Sequence, residues 1–409
     1  MAIVAGLVSV GLTTPAYAQT VYPDPSGQKQ CATDDINDSN GVVGTCTPAS
    51  VSGPAVATYA ATPGTTPTVL QALVSGQDCG ATGLADSNII IGSCLDANNR
   101  PFGVIWTSPT HAPTVLSPLP ALKGALTQLI ADVTSTATAY NPNGAVVGES
   151  TSGGGVDTAV LWPAGTGSGS SMIVVSTYGD NCQAVDVNAA LIHGLPSVAL
   201  DCPLIPTGSN PGPMIGKIAE NNALHGGYAL YPLELPAGAT YCTASAINDA
   251  LQVMGTCHFT APDDPQTAFW TSPTSAPVLL VVSGSARNGG AAMNSSGNIA
   301  FDYQDSSGKG QAGFWNTSSH TVTLISDLSG GSRCSVAGLG DNDTVTLNCE
   351  NANEQNEAAE WTSTAGITDL GDLNNGDDSA VTATNKGGTA AALAGEDVNQ
   401  NELGGEESL

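Results

Sequence analysis

Short apolar segments recur along the chain, each bounded by Gly, Asn, Asp, Ser or Pro. Val42-Val43-Gly44-Thr45-Cys46, Ile90-Ile91-Gly92-Ser93-Cys94, Val146-Val147-Gly148-Glu149-Ser150 and Val253-Met254-Gly255-Thr256-Cys257 share one pattern. Weaker copies are Ile299-Ala300-Phe301-Asp302-Tyr303, Val345-Thr346-Leu347-Asn348-Cys349 and Ala392-Leu393-Ala394-Gly395-Glu396, and a divergent copy ends at Cys202. Such runs are too short for helices and are bounded by turn residues, so they read as strands. Aligned at residues 46, 94, 150, 202, 257, 303, 349 and 396, the copies are separated by 48, 56, 52, 55, 46, 46 and 47 residues. Self-similarity at this period is the mark of a repeat architecture.

A second pattern runs in phase with the first. The five tryptophans, Trp106, Trp162, Trp270, Trp315 and Trp361, each end an apolar strand shortly after the copy, as in Phe102-Gly103-Val104-Ile105-Trp106. Tyr59 and Tyr231 are expected to fill the same slot in two other units. A fourth segment follows, such as Thr114-Val115-Leu116. Four short strands per unit of this length describe a propeller blade. Seven units look complete, starting near Cys31, Cys79, Asp132, Cys182, Cys242, Arg287 and Cys334, and an eighth supplies only a hairpin around Val381 to Glu396. The expected fold is an all-β propeller of seven blades, with eight as the alternative. An open solenoid or a string of sandwiches is the competing arrangement. The stretch between Cys202 and Tyr231, with Pro203, Pro206, Pro211 and Pro213, is expected to be a long rim loop.

The cysteines fix the hairpins. Cys31/Cys46, Cys79/Cys94, Cys242/Cys257 and Cys334/Cys349 are each 15 apart, and Cys182/Cys202 are 20 apart. The midpoint of each 15-residue pair falls among turn-forming residues: Asp38-Ser39, Asp86-Ser87, Asp249-Ala250 and Asp341-Asn342. A hairpin turning there sets the two cysteines opposite each other, about 4.5 Å apart in a non-hydrogen-bonded pair. That lies within the range of about 4.4–6.8 Å that a disulfide accepts. Units without a staple lose both members, as at Ser135/Ser150, Asn288/Tyr303 and Val381/Glu396. Each staple stabilises by roughly 3 kcal/mol in the loop-entropy model.

Composition narrows the function. Lys plus Arg is 8 against 36 Asp plus Glu, a net charge of −28. Such a chain repels phosphate, so nucleic acid and anionic membrane surfaces are excluded as partners. Apolar residues reach 41%, too many for a disordered acidic chain. An uncharged apolar run from Met1 to Leu12 followed by Ala16-Tyr17-Ala18 reads as a signal peptide cleaved before Gln19. No later stretch is apolar enough for a transmembrane span. The expected organisation is a signal peptide at 1–18, one repeat-built domain at 19–396 and an acidic C-terminal tail at 397–409. The destination is extracellular or cell-surface, with bacterial export.

Ile36-Asn37-Asp38, Gly41-Val42-Val43-Gly44, Ala268-Phe269-Trp270 and Thr368-Asp369-Leu370-Gly371-Asp372-Leu373 together resemble the HAF repeat of extracellular bacterial proteins. The likeness spans nearly the whole chain after the leader, although no unit carries His-Ala-Phe itself. It implies a secreted, propeller-like repeat protein and supplies no catalytic residues.

No local chemistry stands out. His111, His193, His225, His258 and His320 lie in different units, and HExxH, GxSxG and Walker-type motifs do not occur. The sequence therefore points to a non-catalytic binding or scaffold module without a cofactor, whose partner is an extracellular protein or glycan. The alternatives are a propeller hydrolase or lyase acting on a glycan or lactone, and a calcium-dependent carbohydrate binder. Calcium would use the acidic turns Asn37-Asp38, Asn248-Asp249 and Asp341-Asn342-Asp343, or the loop starting at Asp397. The aromatic series is expected in the core between sheets, with sugar stacking as the other use of such rings.

Overall fold

A computed structural model describes residues 20–26, 28–48, 53–121, 131–164, 172–205, 212–222, 227–260, 265–285, 287–373, 378–396 and 402–408. The expected signal peptide lies outside them. The described residues form strands and turns, with no α-helix among them. No helix is long and apolar enough to cross a membrane.

The first described strand is β1 (Thr20–Val21). The first unit is β2–β5 (Gln28–Ile36, Val42–Pro48, Val56–Ala60, Thr68–Val69) and the second β6–β9 (Cys79–Leu84, Ile90–Leu95, Pro101–Trp106, Thr114–Val115). The third is β10–β13 (Thr134–Tyr140, Val146–Thr151, Asp157–Trp162, Ile173–Val174) and the fourth β14–β17 (Gln183–Ile192, Leu195–Pro203, Met214–Asn222, Gly227–Pro232). The fifth is β18–β21 (Ala239–Ile247, Val253–Phe259, Gln266–Trp270, Val278–Leu279) and the sixth β22–β25 (Asn288–Met293, Ile299–Gln304, Gly310–Asn316, Thr321–Leu324). The seventh is β26–β29 (Cys334–Leu339, Val345–Glu350, Asn356–Thr362, Gly366–Asp369), followed by β30–β32 (Ser379–Thr384, Ala390–Glu396, Glu402–Ser408).

These strands build a propeller-like ring of small antiparallel sheets, but the count departs from the expectation. The described strands make six sheets of four strands and one of eight. In the larger sheet, the second and third units are joined by one parallel bridge, Ser135 to Phe102. The hairpin expected to stand incomplete is finished by both chain ends, in the order β1-β32-β31-β30. Residues 402–408, expected within a solvated tail, form β32, which pairs with β31 on one side and β1 on the other. The unit's stapling slot is Ser379 opposite Gly395, not Val381 opposite Glu396, because its turn is one residue longer.

Eight apolar clusters hold the ring together, and each lies between two consecutive units. Val43, Ala57 and Leu70 of the first unit meet Ile90, Val104 and Trp106 of the second. Ala300, Phe314 and Ile325 of the sixth meet Val345, Leu347 and Trp361 of the seventh. Tyr22, Ile36, Val42 and Ala60 meet Ala390 and Ala392, which joins the last sheet to the first. A sheet face can leave water only against its neighbour, so burial itself drives ring closure.

All ten cysteines are paired as expected from spacing, with Cα–Cα distances of 4.0 to 4.2 Å. The 20-residue pair encloses a longer hairpin of β14 and β15. It turns at His193-Gly194, both in the left-handed region at φ 52° and 89°.

Every first-to-second-strand ladder shifts register at one equivalent place, around Asp34, Thr82, Thr138, Val185, Ser245, Ala291, Ala337 and Thr382, and those of the first, fourth and fifth units shift at a second place as well. This recurring bulge explains the glycine of the Val-Val-Gly pattern. A Cβ on Gly44 or Gly255 would lie 2.0 Å from the carbonyl oxygen of Ala32 or Thr243 on the bulged strand. No side chain fits there without moving backbone.

The tryptophans are buried, between 0 and 6% exposed. Trp106, Trp162 and Trp270 each donate the indole N–H to a carbonyl of the preceding unit, of Gln71, Ser117 and Glu234 at 2.9, 3.1 and 2.9 Å. The two tyrosines do not occupy this slot. Facing Val42 in the register where the others carry Trp is Ala60, and Tyr59 faces Val43 one position away. In the fourth unit the slot is Ala219 on β16, and Tyr231 sits on the fourth strand opposite Ile218. Residues 214–222, expected within a rim loop, are themselves the third strand.

Gly255→Ala should therefore destabilise the protein by about 2–3 kcal/mol through overpacking. Gly289→Ala, where nothing lies within 4 Å of the added carbon, should be near neutral. Denaturant titration of both variants checks this.

Candidate functional site

The first strands of consecutive units pack against one another around the middle of the ring, and the turns that follow them gather at one end. Turns and strand ends from six units line a cavity of about 200 Å³ there. Tyr140 and Pro142 come from the third unit, Asp186 and Asn188 from the fourth, Asn248 and Asp249 from the fifth, Asn294 and Ser295 from the sixth, Asp341 from the seventh and Lys386 from the last.

A chain of asparagines builds this mouth. Asn37, Asn141, Asn188, Asn248 and Asn294 open equivalent turns and are buried. Each donates its amide across the junction to the next unit's turn carbonyl: Ala85 at 3.4 Å, Asn188 at 2.8 Å, Asn248 at 3.4 Å, Asn294 at 3.5 Å and Gly340 at 3.1 Å. Asn342 does the same for Gly388 at 2.8 Å. The side-chain oxygen meanwhile accepts N–H groups of its own turn, as from Gly41 and Ala145. One residue thus satisfies two backbones, which is why Asn recurs where a simple turn would accept Asp, Ser or Gly.

An acidic residue at the second position of four of these turns completes a second set of crossings. Asp86 accepts the N–H of Asp38, Asp249 that of Ala189, Asp341 that of Ser295, and Asp38 that of Gly387 across the closing junction. Asp38, Asp249 and Asp341, the candidates for calcium, are thus engaged in joining units. The loop starting at Asp397 lies outside the described residues. Among the described residues one group has metal-ligand closeness, Asp180 with Cys182 and Cys202, but its sulfurs are bonded to each other.

Burial raises several carboxyl groups, Asp34, Glu149 and Asp302 among them, and three are raised further than these. Asp35 and Asp186 occupy the same position, immediately after the bulge. Each accepts a backbone N–H of the next unit, Leu84 at 2.6 Å and Ile247 at 2.8 Å. Both are half-buried, and Asp186 lines the cavity. Burial raises each to about 6, against the lowering effect of those N–H groups. Asp35 also accepts the phenol of Tyr140, whose own pKa is raised by burial and then by Asp35. Asp201, on a second strand, accepts the Ala244 N–H at 2.8 Å and is raised by burial to about 6. Chemically, the site offers carboxyls poised to exchange protons near pH 6, a phenol, amide groups and one ammonium.

The sequence-derived candidates lie elsewhere. Neither the tryptophans nor the bonded cysteines are among the residues that line the cavity. His111, His193 and His320 are exposed on three different units, His258 stacks on Tyr241 at 4.5 Å, and His225 lies outside the described residues. No histidine lines the cavity. Asp35, Tyr140 and Asp186 had no motif of their own. The sequence signal nearest them is the turn asparagine that follows each, Asn37, Asn141 and Asn188.

No protein-family model matches the chain, and no curated protein matches it. Solved structures do. A puromycin hydrolase superposes with TM-score 0.53 at 12% identity, over 85% of this chain and 54% of its own. A Mycobacterium tuberculosis puromycin-hydrolyzing peptidase gives 0.51 at 13%, over 86% and 56%. Prolyl oligopeptidase B from Galerina marginata gives 0.54 at 11%, over 92% and 54%. The chain thus spans about half the length of these proteins, and at such identities the likeness concerns the fold alone.

The perturbed carboxyls give a pH dependence with a definite sign. The folded state keeps a proton on Asp186 that the unfolded chain loses near pH 4. Stability from this group is therefore full below about pH 4 and declines as pH rises to about 6. Thermal melts should show higher stability at pH 5 than at pH 7.5. Asp186→Asn, which keeps the acceptor oxygen, should remove about 1–2 kcal/mol of that difference.

Proposed function

We propose that this is a secreted, non-catalytic binding or scaffold module that takes an extracellular protein or glycan partner at the ring mouth. The observation that supports this reading most is the convergence of turns from six units on one polar cavity. A surface assembled from several repeats is where a ring of this kind can present groups that no single unit supplies. Five disulfides and the lack of a membrane-crossing helix among the described residues fit an extracellular protein. Membership of the HAF-repeat family belongs to the same reading and rests on the recurrent Asn-Asp turn and Val-Val-Gly strand.

Ala189 lines the cavity through its turn without holding a neighbour by its side chain. A partner captured by glycan array or by cross-linking at the cell surface should lose binding at least tenfold to Ala189→Trp, with the melting temperature unchanged. Val281→Lys, on a side chain 70% exposed outside the cavity, should leave binding intact. Equal binding by both variants would place the site elsewhere.

The hydrolase neighbours favour a second reading, an extracellular propeller enzyme. Its acid–base groups would be Asp35, Tyr140 and Asp186, since all three are perturbed, Tyr140 and Asp186 line the cavity and Asp35 accepts the Tyr140 phenol. Purified protein would then cleave an amide, glycan or lactone substrate, with turnover abolished in Asp186→Asn. Absence of turnover across such a panel removes this reading.

A further inference from the structure

We propose that Glu357 and Asp372 form a proton-sharing latch that holds the closing sheet against the seventh unit and loosens as the pH rises. Glu357, on β28, is 6% exposed. Its carboxyl lies close to that of Asp372, in the segment leading from β29 towards β30. Two carboxylates cannot donate to one another, so a hydrogen bond between them requires a proton on one of them. Glu357 Oε2 is buried with no hydrogen-bond donor, while Oε1 accepts the amide of Asn351.

The repeat supplies an internal control. Glu357 faces Cys349 in the ladder, and the equivalent residue of the sixth unit, facing Tyr303, is Gln311. Leu370 donates to the Ala358 carbonyl as Ile325 does to that of Ala312, so Asp372 and Asp327 are also equivalent. In the sixth unit the Gln311 amide donates to Asp327 at 3.3 Å, with no proton to lose. The seventh unit makes the same connection with a carboxyl group and is therefore titratable.

The charged surroundings sharpen the effect. Burial first, then the neighbouring Asp372, push Glu357 up to about 7, and Asp369 on β29 adds to this. Glu350 on β27 is held by Arg333 and Ser332, so the nearby guanidinium is already committed. Asp378, just before β30, accepts the Asn356 N–H at 2.8 Å.

The latch bears on ring closure because of what adjoins it. Leu373, next to Asp372, is fully buried against Val381, Ala391 and Leu393 of the closing sheet. Ser379 accepts the Ala358 N–H at 3.0 Å and donates to the Gly371 carbonyl at 2.9 Å, on either side of the pair. Ionisation of both carboxyls sets two like charges in a covered space and favours opening of this junction.

Hydrogen exchange on the intact protein tests this, after correction for intrinsic amide rates. Opening at the Ala358 and Leu370 amides should rise on the order of a hundredfold between pH 5 and pH 8. Glu357→Gln, which copies the sixth unit, should abolish the rise. Gln311→Glu should install a similar rise at the Ile325 amide, and it keeps the test decisive if the first variant folds poorly. A flat wild-type profile, an unchanged slope in Glu357→Gln, or a flat profile at Ile325 in Gln311→Glu would overturn the latch.

Discussion

Every sheet in this protein needs a neighbour to cover its face, and that need organises the rest. The eight apolar clusters lie between units, and none is confined to one unit. A single four-stranded sheet of this composition has no interior of its own, so its stability comes from stacking. The last junction is closed by a smaller apolar cluster, in which Tyr22, beside β1, joins Ala390 and Ala392. The two ends of the chain are thereby drawn into one sheet, which turns a row of repeats into a ring.

Polar groups give the junctions their register. Packing alone leaves neighbouring sheets free to slide, but a hydrogen bond from Asn141 to the Asn188 carbonyl does not. The same geometry recurs from turn to turn and gathers the turns into a mouth. Asp35 and Asp186 repeat the device with carboxylates, holding the next unit's backbone. The groups that align the units are therefore also the ones with unusual proton affinity. Structure and candidate chemistry share residues here, and substitutions at the mouth must be chosen so that the two are separable.

What the sequence made legible was local. The staples follow from a 15-residue spacing about a turn, and both partners lie within one hairpin. The tryptophans announced a buried stripe because they recur in phase with that hairpin. What escaped were features set by distant partners or by single-residue register. Tyr59 looked like a tryptophan substitute, but a one-residue offset carries it to the other face of the strand, and Ala60 takes the slot. β16 was hidden because Lys217, Glu220, Asn221 and Asn222 make it polar, and prolines precede it. β32 reads as an acidic tail with two glycines; its partners are β31 and a strand at the opposite end of the chain. Asp35 and Asp186 had no motif because their environment is assembled from other units.

The central claim, that the chain closes into a ring through a sheet shared by its two ends, can be tested by covalent capture. Thr20 and Glu406 are paired residues of β1 and β32. A Thr20→Cys, Glu406→Cys double variant, folded under oxidising conditions and mapped by non-reducing peptide mass spectrometry, should contain a sixth disulfide joining these two positions, alongside the five native ones. Recovery of both new cysteines as free thiols in a folded protein with its five native bonds intact would contradict the closed ring.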